Sequence, residues 1–454
     1  MNDNMTDNCS TNTTRRRFLH LSGTVAAGML AGCSGKTPSS QPTSDTQIPS
    51  TANTTTVDET TEGTETTSKQ TLQTKYNSRE QYSSPGTEFD NFEGLSRWQR
   101  VQGSVLADTT QSVTGSQSLK LVGKSGHHAV ANRTLSSPMD FSNHDLSVAF
   151  RSKNPDVVAL LVYLFDSDDN WAVLELRSVT YRSPDIGWFR TSPGVFATSD
   201  TNPDLTNIER IEIEITNASD GDAVSWVDDM RLHPKPDTGY VVLSWDDGNR
   251  SYYEQAAPVH DRFNFPAVLT MPVYPRKTAD SFFMSIKELH ERQNAGDEVV
   301  AHGSTNEPFA EISTSQLDTL LKRNKKWLLD NGFEGADFIV YPGNNFDKGA
   351  LKVISKYHYM GGMNQSGNVN TTGVYGFDPL VLPRTIGHDI DICKRAVNLA
   401  ADHRQCTILN FHHFNSKNTM DISDYEELLA HIDQTNGIEA IGFTDLWEMR
   451  RTQP

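Results

Sequence analysis

Hydrophobic and polar positions change their rhythm three times along the chain. Residues 34–84 are dominated by Thr and Ser, as in Thr54-Thr55-Thr56 and Thr64-Glu65-Thr66-Thr67, and their few apolar residues show no period. Such a stretch cannot bury enough surface to offset its ordering entropy, so it reads as a disordered stalk open to O-glycosylation. From Phe89 to His233 short runs alternate with period two, as in Ser118-Leu119-Lys120-Leu121-Val122 and Ile211-Glu212-Ile213-Glu214-Ile215, with Gly, Pro, Asn and Asp between them. That pattern predicts an antiparallel β-sandwich. Beyond the Pro234-Lys235-Pro236 hinge the period becomes mixed. Tyr240–Ser244, Ala267–Met271, Phe338–Tyr341, Thr407–Phe411 and Ala440–Phe443 read as buried strands. Ser285–Gln293 and Ser315–Asn331 read as helices, the second with Leu317, Leu320, Leu321, Leu328 and Leu329 at helical spacing. Alternating strand and helix predict an α/β fold with a parallel sheet closed into a barrel, so functional side chains belong at the strands' C-terminal ends.

The first 33 residues read as an address. Thr14-Arg15-Arg16-Arg17-Phe18-Leu19-His20 resembles a twin-arginine export motif, a weakly apolar stretch follows, and Leu30-Ala31-Gly32-Cys33 resembles a lipobox. The expected product is lipidated at Cys33 and held at the extracellular face of the membrane by that anchor alone. The expected divisions are therefore 1–33 signal, 34–84 linker, 85–236 sandwich and 237–454 barrel.

Composition narrows the function. The 454 residues carry 58 Asp+Glu against 40 Lys+Arg, a formal charge of −18. That field repels phosphate and argues against a nucleic-acid partner. No apolar run of about 18 residues occurs, which excludes a polytopic membrane protein. Four cysteines are too few for a disulfide scaffold. Cys393 and Cys406 are open to either a disulfide or two buried thiols.

The candidate chemistry sits at predicted strand exits. Ser244-Trp245-Asp246-Asp247-Gly248 ends the first barrel strand, and paired carboxylates there can divide roles if one binds a metal and the other stays free. Glu298–Ala301 leads into His302, with Asn306 four residues on; Tyr341-Pro342-Gly343 and His412-His413 end two further strands. Each signal alone is weak, because Asp-Asp-Gly is often a turn and a lone His is more often structural.

Together these motifs resemble the polysaccharide deacetylases of the NodB-homology type, carbohydrate esterase family 4, over residues 240–450. The first motif, Gly296–Gly303, Tyr341-Pro342-Gly343, Ile408–His412 and the tail from Tyr425 to Leu446 carry the resemblance. It implies an irregular barrel of about seven strands, a divalent metal and hydrolysis of N-acetyl groups on a polysaccharide. Asp246 would be the base, His412 the acid, and Asp247, His302 and Asn306 the metal ligands. Tyr341, Pro342 and Arg384 would lie at the substrate. Zn²⁺ is the expected cation, with others admitted because Asn306 replaces the family's second His and an amide suits harder ions. Val340 stands where the family places an Arg that braces the base, and Arg384 is the candidate to supply that charge from a later loop. His413 occupies the position of the usual Asp after the acid.

The sandwich resembles jelly-roll carbohydrate-binding modules in Phe89–Glu93, Trp98, Gly115–Leu119 and Trp226–Leu232. Asp90 and Asp228 are candidates for a structural Ca²⁺ site, weighed against plain turn and edge carboxylates, and Trp171, Tyr181 and Trp188 for a sugar platform, weighed against core aromatics. The leading expectation is a surface-anchored, monomeric, metal-dependent N-deacetylase. Two others stand beside it: a non-catalytic glycan-binding lipoprotein, and an O-acetyl esterase acting on a neutral glycan.

Overall fold

In this computed structural model the structure describes residues 70–75, 86–177, 179, 185–272, 281–303, 308–365, 369–414 and 419–452. The expectations for the signal and for most of the stalk, with Cys33, lie outside these residues, as do those for Tyr181 and Asn306.

Two six-stranded antiparallel sheets form the first half. One runs Ser104–Asp108, Ser118–Gly123, Ala223–Pro234, His144–Ser152, Phe189–Thr191, with Thr87–Asp90 also on Ala223–Pro234. The other runs Gly194–Thr198, Trp171–Leu176, Leu160–Asp166, Ile208–Ile215, Ala129–Met139, Gln99–Gln102. The period-two pattern sets their register: Ile211, Ile213 and Ile215 lie opposite Leu164, Val162 and Leu160. All six are buried, in one core with Leu119, Leu121, Val148, Phe150 and Val227 of the other sheet. A one-residue slip would turn every one of them to the opposite face.

The carboxylates considered for Ca²⁺ are committed to protein donors. Asp90 accepts from Phe92 N at 2.8 Å, Trp98 Nε1 at 2.9 Å and Arg133 NH1 at 2.5 Å. Asp228 accepts from the backbone N–H groups of Val113, Thr114 and Asp229. They tie their strands to neighbouring loops and, at Arg133, to the other sheet. Trp171 and Trp188 are both half-buried, and Trp171 packs edge-on against Tyr163 with ring centroids 5.6 Å apart.

The second half is a closed barrel of seven parallel strands. These are β1 (Gly239–Trp245), β2 (Val268–Met271), β3 (Glu298–Ala301), β4 (Phe338–Val340), β5 (Met360–Gln365), β6 (Leu382–Ile386) and β7 (Cys406–Phe411). Each pairs with the next, and β7 returns to β1 over Tyr240–Trp245. The helices are α1 (Ala257–Phe263), α2 (Ile286–Asn294), α3 (Thr314–Asp330), α4 (Lys348–Ile354), α5 (Ile390–His403), α6 (Ile422–Gln434) and α7 (Phe443–Thr452). Capping boxes start α2 at Ser285 with Glu288 and α3 at Ser313 with Gln316. The strand expected over Ala440–Phe443 runs instead from Ile438 to Ala440, and Phe443 already begins α7. Cys393 and Cys406 are free thiols, both buried, and burial pushes each up to about 12.

Residues 69–454 make one compact unit, and Lys235 is a fixed point within it, not a hinge. Its ammonium donates to Asp145 Oδ1 at 2.8 Å and to His403 O at 2.6 Å. Gln405, just before β7, donates to the same Asp145 oxygen at 2.8 Å and accepts from Val195 N at 2.9 Å. Pro193 forms a β-bridge with Thr372. The seam is therefore built on buried polar groups that meet at Asp145 Oδ1, while Asp145 Oδ2 is buried with no partner.

This seam should make the protein acid-sensitive. His403 lines a cleft of about 550 Å³ at the seam, where burial and then the Lys235 charge lower its pKa to about 4, against an opposing pull from Asp402 and Asp145. An unfolded histidine titrates near 6.5. Between those values the unfolded chain takes up a proton that the folded chain refuses, so His403's contribution is complete above about pH 6.5 and is lost as pH falls towards 4. Thermal melting should drop over that window, and His403→Gln should flatten part of the drop. An identical pH profile for the variant would remove His403 from the account.

Candidate active site

β1 delivers two adjacent carboxylates into different surroundings. Asp246 is still in register, its N–H donating to Phe411 O at 2.9 Å. Asp247 and Gly248 then turn with φ of 70° and 64°. Asp tolerates this left-handed region better than most residues, and at Gly248 a side chain would strike Met271 Sδ at 2.3 Å. The turn leaves the Asp246 side chain 2% exposed and the Asp247 side chain 40% exposed.

A buried carboxylate needs compensation, and Arg384 supplies it. Its NH1 lies 3.0 Å from Asp246 Oδ1 and its NH2 3.0 Å from Oδ2. NH1 also donates to Ser244 Oγ at 3.0 Å, and Thr270 Oγ1 donates to Asp246 Oδ1 at 3.2 Å. Burial pushes the Asp246 pKa up. The Arg384 charge, then His302, the Arg384 hydrogen bonds and His412 outweigh it, holding the carboxyl well below its ordinary range. Such two-pronged contacts fix orientation as well as charge.

On the open side, His302 follows β3. Its Nδ1 lies 3.0 Å from the carbonyl oxygen of Val340. A carbonyl only accepts, so Nδ1 carries a proton and Nε2 is the atom turned towards Asp247, 3.6 Å from Oδ1. Burial pulls the His302 pKa down, but Asp247 and Asp246 beside it move it upward overall. A backbone carbonyl fixing the far nitrogen is a common support for a ligating imidazole.

His412 follows β7. Its Nε2 lies 4.0 Å from Asp246 Oδ2, its side chain is 20% exposed, and its backbone N–H donates to Thr419 Oγ1 at 2.6 Å. His413 points instead at Phe282, ring centroids 5.9 Å apart. Asp246, Asp247, His302 and His412 thus gather at one end of the barrel. Among the described residues, no three His, Cys, Asp or Glu side chains form a cation cage.

The three residues expected at the substrate sit deeper. Arg384 is fully buried and lies on β6, not on a loop; its guanidinium faces Asp246. Tyr341 is buried, its hydroxyl donating to Leu380 O at 2.6 Å and its ring packed on Phe346 and Phe309. Pro342 is buried beside it. Of the three, Arg384 contacts the Asp246 carboxylate.

Sequence reasoning missed a second layer. Trp245 Nε1 donates to Tyr425 OH at 3.1 Å, Tyr425 OH lies 2.5 Å from His260 Nε2, and His260 Nδ1 lies 3.0 Å from Phe265 O. The Phe265 carbonyl takes the Nδ1 proton, so Tyr425 donates to Nε2 and accepts from Trp245. The chain holds the Trp245 ring, which stacks on Phe411 at 5.2 Å, and so braces the residues next to Asp246 and His412. The tail resemblance at Tyr425 was the one sequence signal for it.

Residues 233–362 match the polysaccharide deacetylase family model. The match takes in Asp246, Asp247 and His302; barrel closure brings Arg384 and His412 to them from β6 and the end of β7. Among solved structures, the chain is similar to the family 4 esterase domain of a multidomain xylanase from the hindgut metagenome of Trinervitermes trinervoides (13% identity, 48% of this chain and 93% of that one, TM-score 0.35). It is similar to a family 4 carbohydrate esterase from Streptomyces lividans in complex with acetate (13%, 44% and 90%, TM-score 0.33). A family 4 acetyl xylan esterase from Clostridium thermocellum, in complex with a cobalt ion, is a third (15%, 46% and 91%, TM-score 0.31). No curated protein matches the chain.

Proposed function

We propose that the protein is a metal-dependent hydrolase that removes N-acetyl groups from a polysaccharide at the cell surface. The observation that carries this reading is the buried Asp246 carboxylate, clamped by Arg384 and faced by His412. Arg384 offsets the absent Arg at Val340, so the change there does not by itself argue for an inactive glycan-binding barrel.

The donor chemistry fits a divalent cation. Asp247 offers a carboxylate open to solvent, and His302 offers Nε2 because Val340 holds Nδ1. These two residues would hold the ion, with Asn306 proposed as a third ligand and Zn²⁺ as the metal. Bound there, the ion supplies Lewis acidity towards the acetyl carbonyl. Asp246 takes the proton from the attacking water, and Arg384 with Thr270 fixes which oxygen does so. His412 returns a proton to the departing nitrogen, so the C–N bond breaks to acetate and a free amine. In the same proposal the β-sheets act as a carbohydrate-binding module, jelly-roll in type, and Cys33 anchors the exported chain.

Metal analysis of the purified protein, followed by acetate release from chitin oligomers and from acetylated xylan, tests the proposal. A bound divalent cation with release from chitin oligomers is expected. Release from xylan alone would make the enzyme an O-acetyl esterase. A loaded protein that releases acetate from neither would leave only a glycan-binding protein.

A further inference from the structure

The seam between the sheets and the barrel holds a cleft that the chemistry at Asp246 does not use. It measures about 550 Å³, within the roughly 300–1,000 Å³ that small-molecule sites occupy. Asn202 and Leu205 line it from the sheet half, and Leu399, Asp402 and Arg404 from α5 and the turn that ends it, with Lys235 between them. Gln405, next along the chain, leads into β7, and His412 follows that strand. A strand rises about 3.3 Å per residue, so the cleft and the catalytic groups lie roughly 20 Å apart, one at each end of β7.

The polar groups of the cleft are balanced in charge and mixed in kind. Lys235 and Arg404 are positive; Asp402, and Asp145 behind Lys235, are negative. An anion would meet the two carboxylates and a cation the two basic groups. Arg404 holds Ser142 O at 2.6 Å and Asn143 Oδ1 at 3.0 Å, both through NH2, which leaves its Nε and NH1 uncommitted. Asn202 accepts from Thr198 Oγ1 at 2.9 Å and keeps its own amide N–H groups for another acceptor. Leu205 and Leu399, both half-buried, supply the apolar part of the lining.

A buried group behind the cleft also asks for a donor. Asp145 is 4% exposed; its Oδ1 accepts from Lys235 and Gln405, while no protein group donates to Oδ2. Leaving such an oxygen unpaired is costly. Asp145 lines a small cavity of about 10 Å³, the room one water needs, and this cavity shares Lys235, Leu205 and His403 with the cleft.

We propose that the seam cleft is a second saccharide site, which holds a neutral sugar at the end of the barrel opposite the catalytic groups. Each sugar hydroxyl both donates and accepts, so one ligand satisfies Asp402 as well as Arg404 and Asn202. Its C–H groups pack on the two leucines, and a hydroxyl, directly or through one water, reaches Asp145 Oδ2. A sugar bound here touches both halves of the chain and keeps the protein on its polysaccharide without entering the catalytic end. The site does not depend on the deacetylase reading.

Calorimetric titration of the purified protein with cellobiose, xylobiose and diacetylchitobiose tests the site. At least one disaccharide should bind. Leu399→Trp, which fills the cleft, should weaken that binding roughly 10-fold or more, and Asn202→Ala roughly 2- to 10-fold, the loss of one or two hydrogen bonds. Thermal melting of both variants checks that they fold. His412→Ala should keep the wild-type affinity, which places the bound sugar away from the catalytic end. A wild-type protein that binds none of the three, or binding that survives Leu399→Trp and Asn202→Ala unchanged, would overturn the site. Acetate release without such binding would overturn the site alone, and cleft-dependent binding without acetate release would overturn only the deacetylase reading.

Discussion

His412→Ala and Asp246→Asn should each lower the rate of acetate release roughly 10²–10⁴-fold, the usual cost of removing a positioned acid or base. The two variants differ in what else they disturb. His412 is 20% exposed and its Nε2 sits 4.0 Å from the carboxylate, beyond hydrogen-bond length. Its loss should leave thermal melting close to wild type. Asp246→Asn removes the charge that Arg384 was placed to meet, so it should melt earlier as well as turn over slowly. Leaving-group dependence separates the roles further. An activated phenyl ester needs no proton on departure, so His412→Ala should harm it less than an amide, whereas Asp246→Asn should harm both. Full activity in His412→Ala together with a dead His413→Ala would move the acid role one residue along. The geometry argues against that, because His413 faces Phe282 and not Asp246.

Legibility in the sequence followed burial and local rules. Fully apolar runs such as Val241-Val242-Leu243 and Ile408-Leu409 announced β1 and β7 because parallel barrel strands are covered on both faces. β6 stayed hidden: Leu382-Pro383-Arg384 carries a proline and a charge, both of which count against a central strand. Parallel pairing with β5 and β7 places it there nonetheless. The two carboxylates were visible as a pair, but their division of labour depends on Asp247 entering the left-handed region, which no spacing reveals. Arg384 was visible as a candidate charge, and only barrel closure shows it underneath Asp246 and not beside a substrate. Lys235 misled for a simple reason. Pro-Lys-Pro reads as a linker, while its restraint comes from Asp145 and His403, 90 and 168 residues away.

Arg384→Met should destabilise the barrel by about 3–5 kcal/mol, because it leaves an ionised carboxylate buried without its partner. The Asp246 side chain is 2% exposed and the Arg384 side chain 0%, so water cannot take over. Ser244 and Thr270 hydroxyls remain nearby, but neither carries a charge. Asp246→Asn strands the opposite charge and should also cost stability, though an amide oxygen can still accept one Arg384 hydrogen bond. Combining the two substitutions removes both charges at once. The double variant should therefore lose less stability than the sum of the singles, with a coupling of roughly 0.5–3 kcal/mol in urea unfolding. It should stay inactive throughout, since the base is gone. Simple additivity in that cycle would mean that the guanidinium does not hold the carboxylate's charge. An Arg384→Met protein with wild-type stability and turnover would show that the base needs no brace, and that Arg384 does not stand in for the Arg absent at Val340.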